Sequence, residues 1–181
     1  MCRSGSDDSL PTVRSGLYWQ GAARIGVYNG QISGSIDASV GAKGESVCQF
    51  YFDGKIAEKS FGIVCHNFSD TEAISGTLCI VNDSILLLKT EENPGCSEMI
   101  ADITGKGLSL TFYENKPFLQ VRIVKAKKAF FHTTPKSEDT KKSYLIRGNE
   151  ANVFEIKDRW LKVVYGKTTG WMREEDMYPL H

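Results

Sequence analysis

The sequence has no excess of charge of either sign, because 22 Lys and Arg residues balance 22 Asp and Glu residues among its 181 positions. A general nucleic-acid binder needs a surplus of basic side chains to neutralise phosphates, so no nucleic-acid partner is expected. Six lysines do cluster between residues 125 and 142, but Glu138 and Asp139 interrupt them. This pattern predicts a solvated face rather than a phosphate-binding site.

Long apolar runs are also missing, since the longest, Ile85 to Leu88, has only the length of a strand. A transmembrane helix needs about 18 or more apolar residues in succession, so none is expected. Residues 1–15 are polar, without the apolar segment of a signal peptide. The start Met1-Cys2-Arg3-Ser4 resembles the mature start of a bacterial lipoprotein, which makes Cys2 a lipidation candidate. The alternative is a cytosolic start with an incidental cysteine.

The motifs of the common enzyme classes are absent from the sequence: it has no Gly-x-Ser-x-Gly, phosphate loop or dinucleotide fingerprint. Cys65 and His66 are neighbours, and neighbouring side chains on a strand point to opposite faces, which argues against a nucleophile–base pair. A pair of Cys65 with His132 is disfavoured because Cys65 is expected to be oxidised. The remaining histidine, His181, is expected to be disordered. We therefore predict no enzyme, no catalytic residue, no metal site and no cofactor.

Cysteines are few but unevenly placed. Four of the five lie in residues 16–124 and none lies in residues 125–181; the four are Cys48, Cys65, Cys79 and Cys96. An even set within one β domain is typical of two disulfides, which three different pairings could supply. Each bridge would stabilise the domain by about 3 kcal/mol in the chain-entropy view. Disulfides favour a periplasmic or cell-envelope location, whereas four buried free thiols would fit a cytosolic barrel.

Short strand-like segments, separated by turn residues, are what the sequence does contain. About eight of them follow a flexible leader of residues 1–15, and their even spacing predicts an antiparallel meander barrel or sandwich over residues 16–124. The clearest turn is Asn29-Gly30, because both central residues of a tight hairpin turn need positive φ. Such a barrel could be filled by side chains or could hold a small ligand.

The last part of the chain, residues 125–181, contains five further short strands. Three segments in it are distinctive: Tyr-Leu-Ile-Arg-Gly-Asn at 144–149, Trp-Leu-Lys-Val at 160–163, and Gly-Trp-Met at 170–172. Together they resemble the bacterial SH3-like family, although Arg159 stands where many members carry glycine. The resemblance implies a second small β barrel that binds a ligand or partner and catalyses no reaction. Members of the family commonly help cell-wall enzymes to bind peptidoglycan.

Aromatic side chains of this second domain are the binding candidates. They are Tyr144, Trp160, Tyr165, Trp171 and Tyr178. The two tryptophans could instead hold the hairpin together as a shared core pair.

Three functions remain open. The favoured one is a bacterial envelope protein that binds another protein, such as a toxin or hydrolase, as an inhibitor or immunity protein. The first alternative is a module that binds peptidoglycan or another glycan. The second is a small-ligand carrier with a cavity lined by Tyr18, Phe50 and Phe52. A membrane would be contacted only through a lipid anchor at Cys2.

Overall fold

The computed structural model describes residues 12–40, 46–68, 72–98, 100–136 and 138–181 of the chain. The first strands are β1 Gly16–Tyr18, β2 Ala23–Tyr28, β3 Gln31–Val40, β4 Ser46–Lys55, β5 Ser60–Asn67, β6 Ala73–Asn82, β7 Ile85–Thr90 and β8 Leu108–Asn115. The later strands are β9 Gln120–Ile123, β10 Lys128–His132, β11 Thr140–Ile146, β12 Glu150–Lys157, β13 Trp160–Tyr165 and β14 Thr168–Arg173. Single turns of 3-10 helix occur at Trp19–Gly21 and Glu174–Asp176. Within these ranges no helix has the length and apolar character to cross a membrane.

Strands β1 to β8 form a closed antiparallel barrel, in which each strand pairs with the next and β1 pairs with β8. The all-β prediction is confirmed, and the first domain is a barrel rather than a sandwich. The Asn29-Gly30 turn is also confirmed: φ is 51° at Asn29 and 74° at Gly30, and Tyr28 pairs with Gln31 across it. Both turn residues therefore adopt the left-handed backbone that a two-residue hairpin demands.

Apolar side chains fill the interior of this barrel. Tyr18, Phe50 and Phe52, which would line a ligand cavity, are at most 2% exposed and belong to one apolar cluster. The four pockets lined by described residues that stand out on the surface contain none of the three. Gly34 makes room for this arrangement, because a Cβ atom there would stand 2.4 Å from the ring of Phe52. The barrel is therefore a core, and it offers no support for a ligand carrier.

Strands β9 to β14 form a second antiparallel sheet in the order β11-β10-β14-β13-β12-β9. The five strands predicted in residues 125–181 are all present. Strand β9 is the sixth, and it pairs with β12, although the sequence pattern predicts that all of residues 16–124 belong to the first domain. This sheet has an apolar core of its own, which includes Phe131, Leu161 and Met172.

The barrel and the second sheet meet along β9, and we call this contact the junction. Gly26 of β2 lies so close to β9 that an added Cβ atom would stand 2.6 Å from the Cα atom of Gln120. Beside it, the backbone N–H of Val121 donates a hydrogen bond to Ser33 Oγ at 2.9 Å. The strands thus touch backbone to backbone at Gly26, and the relative position of the two β structures is fixed there.

Charged groups add to the junction. Arg24 of β2 forms an ion pair with Glu150 of β12, with 3.2 Å between Arg24 Nε and Glu150 Oε1. The hydroxyl of Ser35 donates a hydrogen bond to the same carboxylate. Burial raises the pKa of Glu150, whereas Arg24 and Ser35 lower it. A carboxylate at this depth is held by specific partners from the opposite β structure.

The cysteines only partly follow the prediction. Cys48 and Cys96 form a disulfide. Cys65 is a free, buried thiol, so the disulfide expected for it is wrong. The reason is its place in the barrel: Cys65 lies opposite Phe52 and points into the apolar core. Cys2, the lipidation candidate, lies outside the described residues.

The cysteine states can be checked by peptide mapping without reduction. We expect a linked pair of peptides carrying Cys48 and Cys96, and a Cys65 peptide that iodoacetamide modifies only after unfolding. Burial raises the pKa of the Cys65 thiol to about 12, with a further contribution from Asp53, so little reactive thiolate forms near pH 8. Rapid labelling of Cys65 in the folded protein, or its recovery in a disulfide, would contradict this assignment.

Substitution of Gly26 tests the junction. Gly26→Ala places a methyl group against the backbone of β9 and should lower the free energy of unfolding by about 1–3 kcal/mol. The matched control is Gly62→Ala, because a Cβ atom at Gly62 meets nothing within 4 Å, and its effect should stay within about 0.5 kcal/mol. Chemical denaturation measures both. Equal effects of the two substitutions would show that the close approach at Gly26 is not a constraint.

Candidate functional site

A large cleft opens beside the junction, and we refer to it as the cleft. It has a volume of about 700 Å³, within the size range of small-ligand sites. Residues of the barrel, of the second sheet and of the segment after β14 contribute to its walls. They are Gln31, Gln120, Arg122, Arg159, Trp160, Arg173, Glu174, Glu175, Pro179 and Leu180.

Arg122 is the buried charged group of the cleft. Its Nη1 atom lies 3.2 Å from Gln120 Oε1 and 3.4 Å from Glu174 Oε1, and its Nη2 donates to the carbonyl of Tyr178 at 2.9 Å. Its Nε atom is buried and has no hydrogen-bond partner among the described residues. Burial lowers the pKa of Arg122 while Glu174 raises it, and a guanidinium stays charged in proteins. The cleft therefore holds a permanent cation whose Nε–H has no hydrogen-bond partner among the described residues.

Trp160 forms an aromatic wall of the same cleft. Its ring meets the ring of His132 edge-on, with 4.8 Å between their centroids, and the guanidinium carbon of Arg173 lies 5.8 Å from the Trp160 centroid. Burial lowers the pKa of His132, and the positive charge of Arg173 lowers it further. His132 is therefore neutral near pH 7, and it does not repel the nearby guanidinium of Arg173. A half-buried indole beside guanidinium groups suits a ligand with both a flat apolar face and an acidic group.

The five predicted binding residues lie in separate places. Trp160 lines the cleft, and Tyr178 lines a smaller pocket of about 180 Å³. Tyr165 borders a polar pocket of about 540 Å³ near the other end of the junction. Trp171 is only 8% exposed, and it lies on the opposite face of β14 from the core residue Met172, beside Lys162. Tyr144 is exposed on the outer face of β11.

Tyr144 belongs to an exposed apolar surface that we call the aromatic patch. Its members Phe130, Tyr144 and Ile146 are 38%, 41% and 51% exposed. Phe130 and Tyr144 are cross-strand partners on β10 and β11, with ring centroids 5.5 Å apart. Alternation along the strands turns these side chains away from the core, since Ala129 and Leu145 are buried.

Lysines border the aromatic patch. Lys128 is paired with Ile146 across the strands, and its Nζ atom stands 4.5 Å from the centroid of the Tyr144 ring. Lys142 is also exposed, two residues before Tyr144 on β11. The patch therefore combines an apolar centre with a basic border, on the strand that forms one edge of the sheet.

A third group of residues was missed by sequence reasoning. Asp53, His66 and His181 each bring one possible metal-ligand atom to within 4.8 Å of the others. We expected no metal site and a disordered His181. His66 follows Asp53 by 13 positions, and His181 follows His66 by 115. Only the pairing of β4 with β5 and the path of the segment after β14 bring the three together. Cys65 and His132, weighed as a pair, belong to different β structures, the barrel and the second sheet.

Comparisons of the chain with protein-family models, with curated proteins and with solved structures found no match. The geometry of these surfaces and the residues that form them are therefore the basis for a function.

Proposed function

We propose that this chain is a non-enzymatic binding protein of the bacterial envelope that recognises another protein, as an inhibitor or immunity protein does. The aromatic patch is the observation that supports this proposal most directly. Three large apolar side chains lie side by side in solvent on one sheet face. Aromatic side chains are enriched at protein–protein interfaces and commonly contribute much of the binding energy.

The border of the patch indicates the chemistry of the partner. Lys128 and Lys142 are cationic and exposed, so a complementary surface would carry acidic groups around an apolar centre. Strand β11 stands at the edge of its sheet, with β10 as its neighbour there. Lysines on an edge strand disfavour pairing between copies of the same chain. The partner in this proposal is therefore a different protein, such as a toxin or a hydrolase.

The proposed location follows from cysteine chemistry. A disulfide between Cys48 and Cys96 persists in an oxidising compartment such as the periplasm. A lipid anchor at Cys2 stays a prediction from the sequence. Within the proposal, residues 125–181 act as an SH3-like binding module, and five short antiparallel strands over that range support the assignment.

An affinity experiment tests the protein-binding role. Immobilised protein should retain one stoichiometric partner from a bacterial envelope extract, identified by mass spectrometry. Tyr144→Ala should weaken this binding about 30-fold, which corresponds to an interface residue contributing about 2 kcal/mol. The control is Tyr113→Ala, because Tyr113 is exposed on β8 of the barrel, away from the patch. If Tyr144→Ala and Phe130→Ala each retained the partner as well as the parent protein does, a role for the patch would be contradicted.

A second function, binding of cell-wall material, is favoured by the cleft. Peptidoglycan presents sugar rings together with carboxylate-bearing peptides. The cleft offers the indole of Trp160 for the rings and the guanidinium groups of Arg122 and Arg173 for carboxylates. Glu174 and Glu175 partly offset those positive charges, through ion pairs of 3.4 Å with Arg122 and 3.1 Å with Arg173. For this reason we place cell-wall binding second.

Sedimentation with purified peptidoglycan separates the two functions. If the cleft binds cell-wall material, the protein should pellet with it, and Trp160→Ala or Arg159→Gln should reduce the bound fraction severalfold through loss of stacking or of charge. Tyr165→Ala, which alters an exposed tyrosine outside the cleft, is the control. No sedimentation of the parent protein would exclude this second function and leave protein binding.

A further inference from the structure

Asp53 is a buried carboxylate on the outer wall of the barrel. Phe50 and Phe52 point into the barrel core, and Asp53, next along β4, points outward by alternation. It is nevertheless only 1% exposed. The backbone N–H of His181 donates a hydrogen bond to Asp53 Oδ1, and the ring Nδ1 of His181 lies 3.3 Å from Oδ2. A negative charge at this depth requires positive or hydrogen-bonding partners.

His66 stands beside this carboxylate on the neighbouring strand. It is the cross-strand partner of Tyr51, which places it on the same outer face of the barrel as Asp53. Its ring is stacked between Tyr51, at 5.0 Å between centroids, and His181, at 5.3 Å. Stacking involves the two faces of the imidazole, whereas a metal binds to a ring nitrogen at the edge. The orientation of His66 is therefore fixed in a way that is compatible with metal binding.

His181 completes the group from a different part of the chain. The segment after β14 is held against both β structures, since Tyr178 N–H donates to the carbonyl of Ile123 at 2.9 Å and Gln31 Nε2 donates to the carbonyl of His181 at 3.1 Å. The side chain of His181 is 48% exposed, so its ring has room to rotate. The backbone at this position is thus anchored while the imidazole can adjust.

We propose that Asp53, His66 and His181 form a binding site for a divalent transition-metal ion of the zinc type. Two imidazoles and one carboxylate suit zinc, whereas calcium and magnesium prefer oxygen ligands alone. The three ligand atoms lie within 4.8 Å of one another, and tetrahedral zinc needs them about 3.4 Å apart. Asp53 Oδ2 and His181 Nδ1 already stand 3.3 Å apart, close to that spacing.

The surroundings leave space for a fourth ligand. A pocket of about 180 Å³, lined by Tyr51, His66, Tyr178, Pro179 and His181, adjoins the two histidines. A water molecule or an acidic group of a partner fits there and would complete four-coordination. Arg122 acts electrostatically on Asp53 and offsets part of its negative charge. This site is distinct from the aromatic patch and goes beyond the protein-binding role.

A metal at this position would connect two parts of the fold. Asp53 and His66 belong to the barrel, while His181 belongs to the segment that follows the second sheet. Pro179 and Leu180 of that segment also line the cleft. Bound zinc would therefore fix one wall of the cleft and stabilise the attachment of the second sheet to the barrel. Because zinc binds the folded arrangement and not the unfolded chain, its binding raises the unfolding temperature.

Calorimetric titration tests the proposal on the full chain with its disulfides intact, after treatment with a chelator. Zinc chloride should bind with one-to-one stoichiometry and raise the unfolding temperature. His181→Ala and His66→Gln should each weaken zinc binding at least about tenfold, since each removes one of three ligands. His132→Gln is the matched control, because His132 lies in the second sheet outside the group, and its zinc affinity should equal that of the parent.

Cobalt gives a second readout, because Co²⁺ bound at the site should show visible absorption bands that His181→Ala abolishes. If His66→Gln fails to fold, the half-exposed His181 still provides the test. The proposal is overturned if the parent binds no zinc at about 1 mM, the weak end of the affinity scale. It is equally overturned if His181→Ala binds zinc as tightly as the parent.

Discussion

The close contact of β9 with β2 is the constraint on which the remaining geometry depends. Only glycine at position 26 lets the two backbones approach, and the hydrogen bond from Val121 N–H to Ser33 Oγ fixes their alignment. With β9 in place, the second sheet has one orientation relative to the barrel. That orientation sets the volume of the cleft and carries the segment after β14 across the outer wall of the barrel, where its backbone meets Asp53.

Buried charge follows this contact. Glu150, Arg122 and Asp53 all lie where the two β structures meet, and each is matched by groups from a distant part of the sequence. Arg24 of the barrel pairs with Glu150 of the second sheet, and Glu174 pairs with Arg122. Removing one member of such a pair leaves its partner buried and uncompensated, which costs more than the pair itself contributes. These charged pairs therefore favour one alignment of the second sheet on the barrel over other alignments.

Much of the local structure could be predicted from the sequence, because hairpins and strands depend on neighbouring residues. Asn29-Gly30 specified its turn, and five strands of residues 125–181 were found from apolar alternation. The assignment of β9 failed, since alternation within a strand does not reveal which sheet the strand joins. The free Cys65 and the group of Asp53, His66 and His181 depend on cross-strand register and chain path, which short-range patterns do not contain.

The aromatic patch lies away from the junction and from the cleft beside it. Strands β9 and β11 are the two opposite edges of the second sheet, so the edge that contacts the barrel is the one farthest from Tyr144. A change at Gly26 or at the His66–His181 group alters the attachment of the sheet and the shape of the cleft, while the strand pairing that presents Phe130 beside Tyr144 stays within β10 and β11. Partner binding at the patch and metal binding at the barrel wall can therefore vary independently. A ligand in the cleft, by contrast, would be sensitive to both the junction and the metal.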